Sequence, residues 1–124
     1  MSTLDKQDAP LDTAALMETV AGDVGLIREL TAIYLEDTPP LMLRIRKAVG
    51  RKDGPTLWQA AHRLKGTATG FHAGPLRRAA FRLELMGQDN DFSTAESALD
   101  ALETEVERFE RALLEWETQG SESR

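Results

Sequence analysis

The sequence predicts an all-α fold: an up-and-down four-helix bundle with a short additional helix at its N-terminal end. Three observations predict it. Apolar residues recur at helical spacing along almost all of the 124 residues. No stretch sustains the period-two alternation, rich in β-branched residues, that a half-buried strand needs. The interruptions at 22–23, 50–54, 70–75 and 87–91 are short, and short links between helices favour antiparallel neighbours.

The elements follow in order. Asp12 is a good N-cap for a short first helix carrying Leu16 and Val20. Gly22-Asp23 opens a second helix, whose inner face is expected to carry Leu26, Leu30, Ile33 and Tyr34, then Leu41, Ile45 and Ala48. Thr38-Pro39-Pro40 interrupts it, and because proline lacks the N–H and clashes with the preceding turn, a kink or restart is expected there. Asp53 and Pro55 suit the N-cap and first turn of a third helix with the stripe Leu57, Ala61, Leu64, Ala68 and Phe71. A fourth helix carries Leu76, Ala79, Ala80, Leu83 and Met86. Ser93 and Glu96 have the spacing of a capping box, and the last helix shows Leu99, Leu102, Val106, Phe109, Leu113 and Trp116. That last stripe is short for a coiled coil and reads as a bundle core, so a monomer is expected. One domain over 11–118 is expected, with flexible ends at 1–10 and 119–124; the Met1 start and polar end fit a free-standing protein.

Composition excludes several classes of function. With 41% hydrophobic and 29% charged residues the chain has an ordinary globular make-up. It has no cysteine, so it has no disulfide, zinc-thiolate site or thiol nucleophile. Its two histidines, His62 and His72, are too few for a usual all-protein metal site, and none is expected. There is no basic-then-apolar leader pattern and no apolar run near the roughly 18 residues of a membrane span, so a cytoplasmic protein without membrane partners is expected. The net charge of −6 argues against non-specific nucleic-acid binding. Charge is unevenly placed: residues 56–83 contain no acid but include Arg63, Lys65, Arg77, Arg78 and Arg82, whereas 89–117 carry ten acids against Arg108 and Arg111. A locally basic surface on an acidic protein suits an acidic partner; ordinary solvated helix faces explain the same pattern equally well.

The third helix holds the residues that carry chemistry. At about 100° per residue, His62 lies roughly 140° from the centre of the apolar stripe, on the outer face. Trp58, Gln59, Lys65, Gly66 and Thr69 share that face. Gly66, one turn beyond His62, lowers the surface beside the imidazole at a helix cost of about 0.5–1 kcal/mol. An imidazole nitrogen is a competent nucleophile near neutral pH, and a phosphoryl group attached to it would find Lys65 and Thr69 as hydrogen-bonding partners. The bland alternative is an incidental surface histidine beside a tolerated glycine and a solvated lysine.

The run Ala61-His62-Arg63-Leu64-Lys65-Gly66-Thr67-Ala68 resembles the Ala-His-x-Leu-Lys-Gly-Ser-Ala signature of histidine-containing phosphotransfer domains. Gly22-Asp23, the run from Tyr34 to Pro39, Ala48 with Asp53, and Leu83-Glu84 are similar to residues of that family too, so the resemblance covers roughly 11–114. It implies a bundle with His62 as the exposed phosphorylation site, Lys65 steadying the phosphoryl group and Gly66 giving steric access. It also implies a carrier without an ATP site or cofactor of its own, which relays phosphoryl groups between aspartates. Its partners would be receiver domains of response regulators or hybrid histidine kinases, and the receiver would supply Mg²⁺. Trp58, Gln59, Arg63, Thr69, Arg77 and Arg78 are the expected partner-binding residues, with the Ala60 and Thr67 shoulder adding apolar contact. The sequence departs from the family at His72-Ala73, where a glycine usually precedes a small residue. Gly70 and Gly74 are expected to supply the turn's flexibility instead, with His72 a turn residue.

Rival functions have less support. No phosphate-cradling glycine loop is present. A histidine-based hydrolase wants an orienting carboxylate near His62, and residues 56–83 offer none. The alternative is a helical adaptor that binds a receiver or kinase domain and is never phosphorylated.

Overall fold

The computed structural model describes residues 8–122, with side chains described for 8–118. Of the expected flexible ends, 1–7 and 123–124 lie outside that range, and 119–122 continue the last helix. The described residues form five helices and no strand: α1 (Thr13–Thr19), α2 (Val24–Arg51), α3 (Gly54–Gly70), α4 (Gly74–Asp89) and α5 (Ala95–Glu122). Helices α2 to α5 form the bundle: α3 packs on α2 and α4, and α5 closes against α4 and α2. The predicted all-α bundle with a short first helix is the observed fold.

Three aspartates start three of the helices. Asp12, Asp23 and Asp53 each accept a hydrogen bond from the backbone N–H three residues on, at Ala15 (3.0 Å), Leu26 (3.0 Å) and Thr56 (3.2 Å). Each satisfies one orphan donor of a first turn. The start of α5 differs from expectation. The helix begins at Ala95 and the Thr94 carbonyl accepts from Ala98, while the Asp91 carboxylate accepts from Ser93 N at 3.0 Å in the turn that precedes the helix.

Helix α2 runs unbroken through Pro39 and Pro40, so the expected kink or restart does not divide it. Both prolines, and Leu35 and Glu36 whose carbonyls lose their donors, lie on the exposed face, where solvent can reach the carbonyls. The inner face of α2 also needs correction. Leu26 and Ile33 are exposed, and the buried line is Ile27, Thr31, Tyr34, Thr38, Leu41, Ile45 and Ala48. Thr31 tolerates burial because its hydroxyl donates to the Ile27 carbonyl at 2.8 Å. The stripe of α3 is as predicted, with Leu57, Ala61, Leu64, Ala68 and Phe71 buried; in that of α5, Leu99, Leu102, Phe109 and Leu113 are buried and Val106 and Trp116 are partly buried against them. At one end of the core Tyr34, Phe71 and Phe109 meet edge-to-face, with centroids 5.1–5.8 Å apart, and the Tyr34 hydroxyl donates to Glu110 at 3.0 Å.

The α3–α4 seam positions everything that follows. A Cβ on Gly87 would lie 2.6 Å from the Trp58 nitrogen and 2.7 Å from the Gly54 carbonyl, so the two backbones touch where only glycine fits. From that contact the antiparallel register pairs Trp58 with Gly87, His62 with Glu84 and Lys65 with Phe81. The turn joining these helices is not built on the flanking glycines. Gly70 and Gly74 are helical, and His72 itself takes the left-handed backbone, with φ 58°. For a residue with a Cβ that conformation costs about 1–2 kcal/mol. Its carbonyl accepts from Asp12 N at 3.1 Å and its Nε2 lies 2.7 Å from the Thr19 hydroxyl, so the turn also tethers α1.

Candidate functional site

His62 projects from the middle of α3 with 59% of its side chain exposed. Trp58, one turn earlier, stacks on it at 6.0 Å between ring centroids and 22° between planes. On the α4 side, Glu84 reaches across the seam and its Oε2 lies 2.9 Å from His62 Nδ1. Its other oxygen, Oε1, takes the Lys65 ammonium at 2.8 Å. Lys65 in turn lies over the Phe81 ring, 4.7 Å from the centroid. One carboxylate, 8% exposed, thus joins the histidine to the lysine.

Burial in the seam pushes the Glu84 carboxyl up, but the hydrogen bonds from Lys65 and His62 together outweigh it and hold the group below the ordinary glutamate range. Glu84 is therefore ionised at neutral pH, and an ionised carboxylate only accepts hydrogen bonds. Nδ1 must carry the hydrogen, which leaves the lone pair of the neutral ring on Nε2. Nε2 is the solvent-side nitrogen and has no partner among the described residues. This overturns the expectation that His62 lacks an orienting carboxylate. Residues 56–83 hold no acid, and the register brings in Glu84, the next residue of α4. What the arrangement offers is a nucleophilic nitrogen of fixed tautomer on an open surface.

The other predicted residues separate into groups. Beside Gly66 a Cβ would meet nothing within 4 Å, so the surface there is open. Gly66, Arg63 and Thr67 border a groove of about 280 Å³ against α2, lined also by Ile33, Tyr34 and Asp37. Thr69, Arg77 and Arg78 line a separate hollow near the α3–α4 turn together with His72, and Arg78 pairs with Asp8 at 3.8 Å. The Thr69 hydroxyl donates to the Lys65 carbonyl at 2.8 Å, and Thr69 lies two turns, about 10 Å along the axis, from His62. The basic residues of 56–83 are therefore spread around the helices rather than gathered on one surface. Gln59 is exposed on the α3 wall, whereas Ala60 is wholly buried and adds nothing to a docking shoulder. Glu84 and Phe81 are the site residues that sequence reasoning missed. Glu84 was noted only as a point of resemblance, and Phe81, half-exposed beside Lys65, falls outside the apolar stripe of α4.

Among the described residues no group of three His, Asp or Glu side chains is placed to hold a metal ion. None of the described helices is long and apolar enough to cross a membrane. No curated protein and no solved structure gives a match to the chain. A family model does: the Hpt domain model matches residues 29–112, which takes in most of α2, all of α3 and α4, and most of α5. With His62, Lys65, Gly66 and Glu84 inside the matched span, the chain belongs to the Hpt domain family, the histidine phosphotransfer modules of His–Asp phosphorelays.

Proposed function

We propose that the chain carries a phosphoryl group on His62 Nε2 and exchanges it with the aspartates of receiver domains, in response regulators or hybrid histidine kinases. The observation that supports this reading is the Nδ1–Glu84 hydrogen bond of 2.9 Å, which leaves the Nε2 lone pair on the exposed side of the ring. The lone pair forms the N–P bond as the P–O bond to the partner's aspartate breaks and that carboxylate leaves with its electrons. No ATP site or resident cofactor is needed for such an exchange, and the receiver would bring Mg²⁺. Lys65 supplies positive charge on the same face, Gly66 keeps the approach clear, and the half-exposed rings of Trp58 and Phe81 flank the histidine as apolar contacts for the partner.

The test is incubation of the protein with Mg²⁺ and a panel of phosphorylated receiver domains, followed by intact mass. The expected result is an acid-labile gain of one phosphoryl group that is lost in His62→Gln while helicity is unchanged. Binding to a receiver with no such gain would replace the carrier by a non-phosphorylated adaptor. Sedimentation of the same samples tests the expected monomer.

A further inference from the structure

Two aromatic rings flank the site, and each lies against a group that is a cation or becomes one. The Lys65 ammonium sits over Phe81, 4.7 Å from its centroid. The His62 ring lies against Trp58 in an offset stack, 6.0 Å between centroids and 22° between planes. We infer that Trp58 is a positioning residue for the phosphoryl exchange. Its indole face orients the imidazole and stabilises the positive charge that the ring takes on as Nε2 bonds to phosphorus. The inference rests on His62 being the phosphoryl carrier.

The charge comes from the bond changes. When Nε2 attacks, its lone pair becomes the N–P bond, the bond from phosphorus to the donor breaks, and the donor group leaves with those electrons. The imidazole has given up electron density, so it carries positive charge in the transition state. An aromatic face attracts a cation through its quadrupole, and indole does so best among the aromatic side chains. The attraction is stronger for the charged ring than for the neutral one, so it lowers the barrier instead of only steadying the resting state.

The local structure suits this role. Trp58 precedes His62 by four residues, so α3 sets the two side chains one above the other. The seam with α4 fixes the base of the stack, because the Trp58 nitrogen lies 2.6 Å from where a Cβ on Gly87 would be. Indole meets the imidazole at its face, whereas Glu84 meets it at the Nδ1 edge, so the two contacts do not compete. The other cation of the site, Lys65, is engaged by Glu84 at 2.8 Å and by Phe81. Beyond the indole is a hollow lined also by Pro55, Gly87, Gln88 and Asn90, all uncharged. Trp58 is half-exposed, so it can touch a docked partner as well, and the two roles separate only when the partner is left out.

The experiment therefore uses a small donor. The full chain is phosphorylated with phosphoramidate, whose P–N bond breaks as ammonia leaves with its electrons, and the gain of mass is followed in time. Wild type, Trp58→Phe and Trp58→Leu are compared, with circular dichroism confirming equal helicity. Rates should fall in that order, Trp58→Leu being about two- to five-fold slower than wild type, the range for one exposed cation–π contact expressed in a rate. A packing role would be served by leucine as well as by phenylalanine. The second readout is the indole itself. In Trp116→Phe, Trp58 is the one remaining tryptophan. Its fluorescence should drop as His62 is phosphorylated, because a cationic imidazole on its face accepts an electron from the excited indole. His62→Gln in the same background should show no drop. Trp58→Leu at the rate of wild type or of Trp58→Phe, or emission unchanged while the mass shows phosphorylated His62, would overturn the inference. No phosphoryl gain in the wild type would overturn the carrier reading and the inference with it. Should no receiver exchange phosphoryl groups while these differences hold, the receiver reading alone fails.

Discussion

The chain has two histidines, and the structure gives them opposite surroundings. His62 stands on a helix wall with Nδ1 tied to a carboxylate and Nε2 open to solvent. His72 sits in a left-handed turn with Nε2 held 2.7 Å from the Thr19 hydroxyl. That hydroxyl donates to the Ala15 carbonyl at 3.0 Å, so the Thr19 oxygen is left to accept from His72 Nε2–H. Among the described residues, the first ring has Nε2 without a partner and Nδ1 held, while the second uses Nε2 to tether a helix. Residue type is therefore a poor guide to chemistry here, and the nitrogen left without a partner is a good one.

The sharpest way to break that comparison is to remove each ring in turn. His62→Gln should abolish phosphoryl acceptance, and His72→Gln should retain the wild-type level, both read by intact mass after incubation with a phosphorylated receiver. Acceptance at His72 in the His62 variant would show that the tethered nitrogen is also available. The next test attacks the seam beneath one histidine only. Gly87→Ala places a Cβ 2.6 Å from the Trp58 nitrogen, a backbone atom that cannot give way. It should destabilise the protein by about 2–3 kcal/mol in urea titration and slow phosphotransfer, while leaving the Thr19–His72 contact intact by NMR. A smaller effect of opposite sign is expected at Gly66, where an added Cβ meets nothing. Gly66→Ala should raise stability by about 0.5–1 kcal/mol, and any loss of transfer it causes would measure steric access alone. Smallest of all is His72→Gly. Relief of the left-handed backbone, about 1–2 kcal/mol, nearly cancels the lost tether to Thr19 at about 0.5–1.5 kcal/mol. Net stability should stay within about 0.5 kcal/mol of wild type, by the same titration.

What could be read from the sequence follows the range of the interactions involved. His62, Lys65 and Gly66 lie within one turn of a single helix, so spacing alone placed them on one outer face. Aspartate caps were legible for the same local reason. The inner face of α2 was legible only in part, because Thr31 and Thr38 occupy buried positions and apolar Leu26 and Ile33 do not. Apolar type alone therefore misplaces Leu26 and Ile33, whereas Tyr34, Leu41, Ile45 and Ala48, expected on the inner face, are buried there. Glu84 was out of reach for a different reason. Its role depends on the register between two helices, which is set by backbone contact and leaves no periodic trace in the chain.

That register has a consequence for how the site can change over evolutionary time. In a helix pair, sliding one partner by a single residue moves a side chain about 1.5 Å along the axis and turns it about 100°. The Glu84 carboxylate would then leave the imidazole altogether, without any change to His62, Lys65 or Glu84 themselves. The contact of Gly87 with Trp58 and Gly54 resists such a slip because there the two main chains meet directly. The alignment of the His62 ring with Glu84 is thus recorded in hydrogens where side chains would otherwise be. Drift at residues 54 and 87 would disarm the protein while every chemically competent group remained in place.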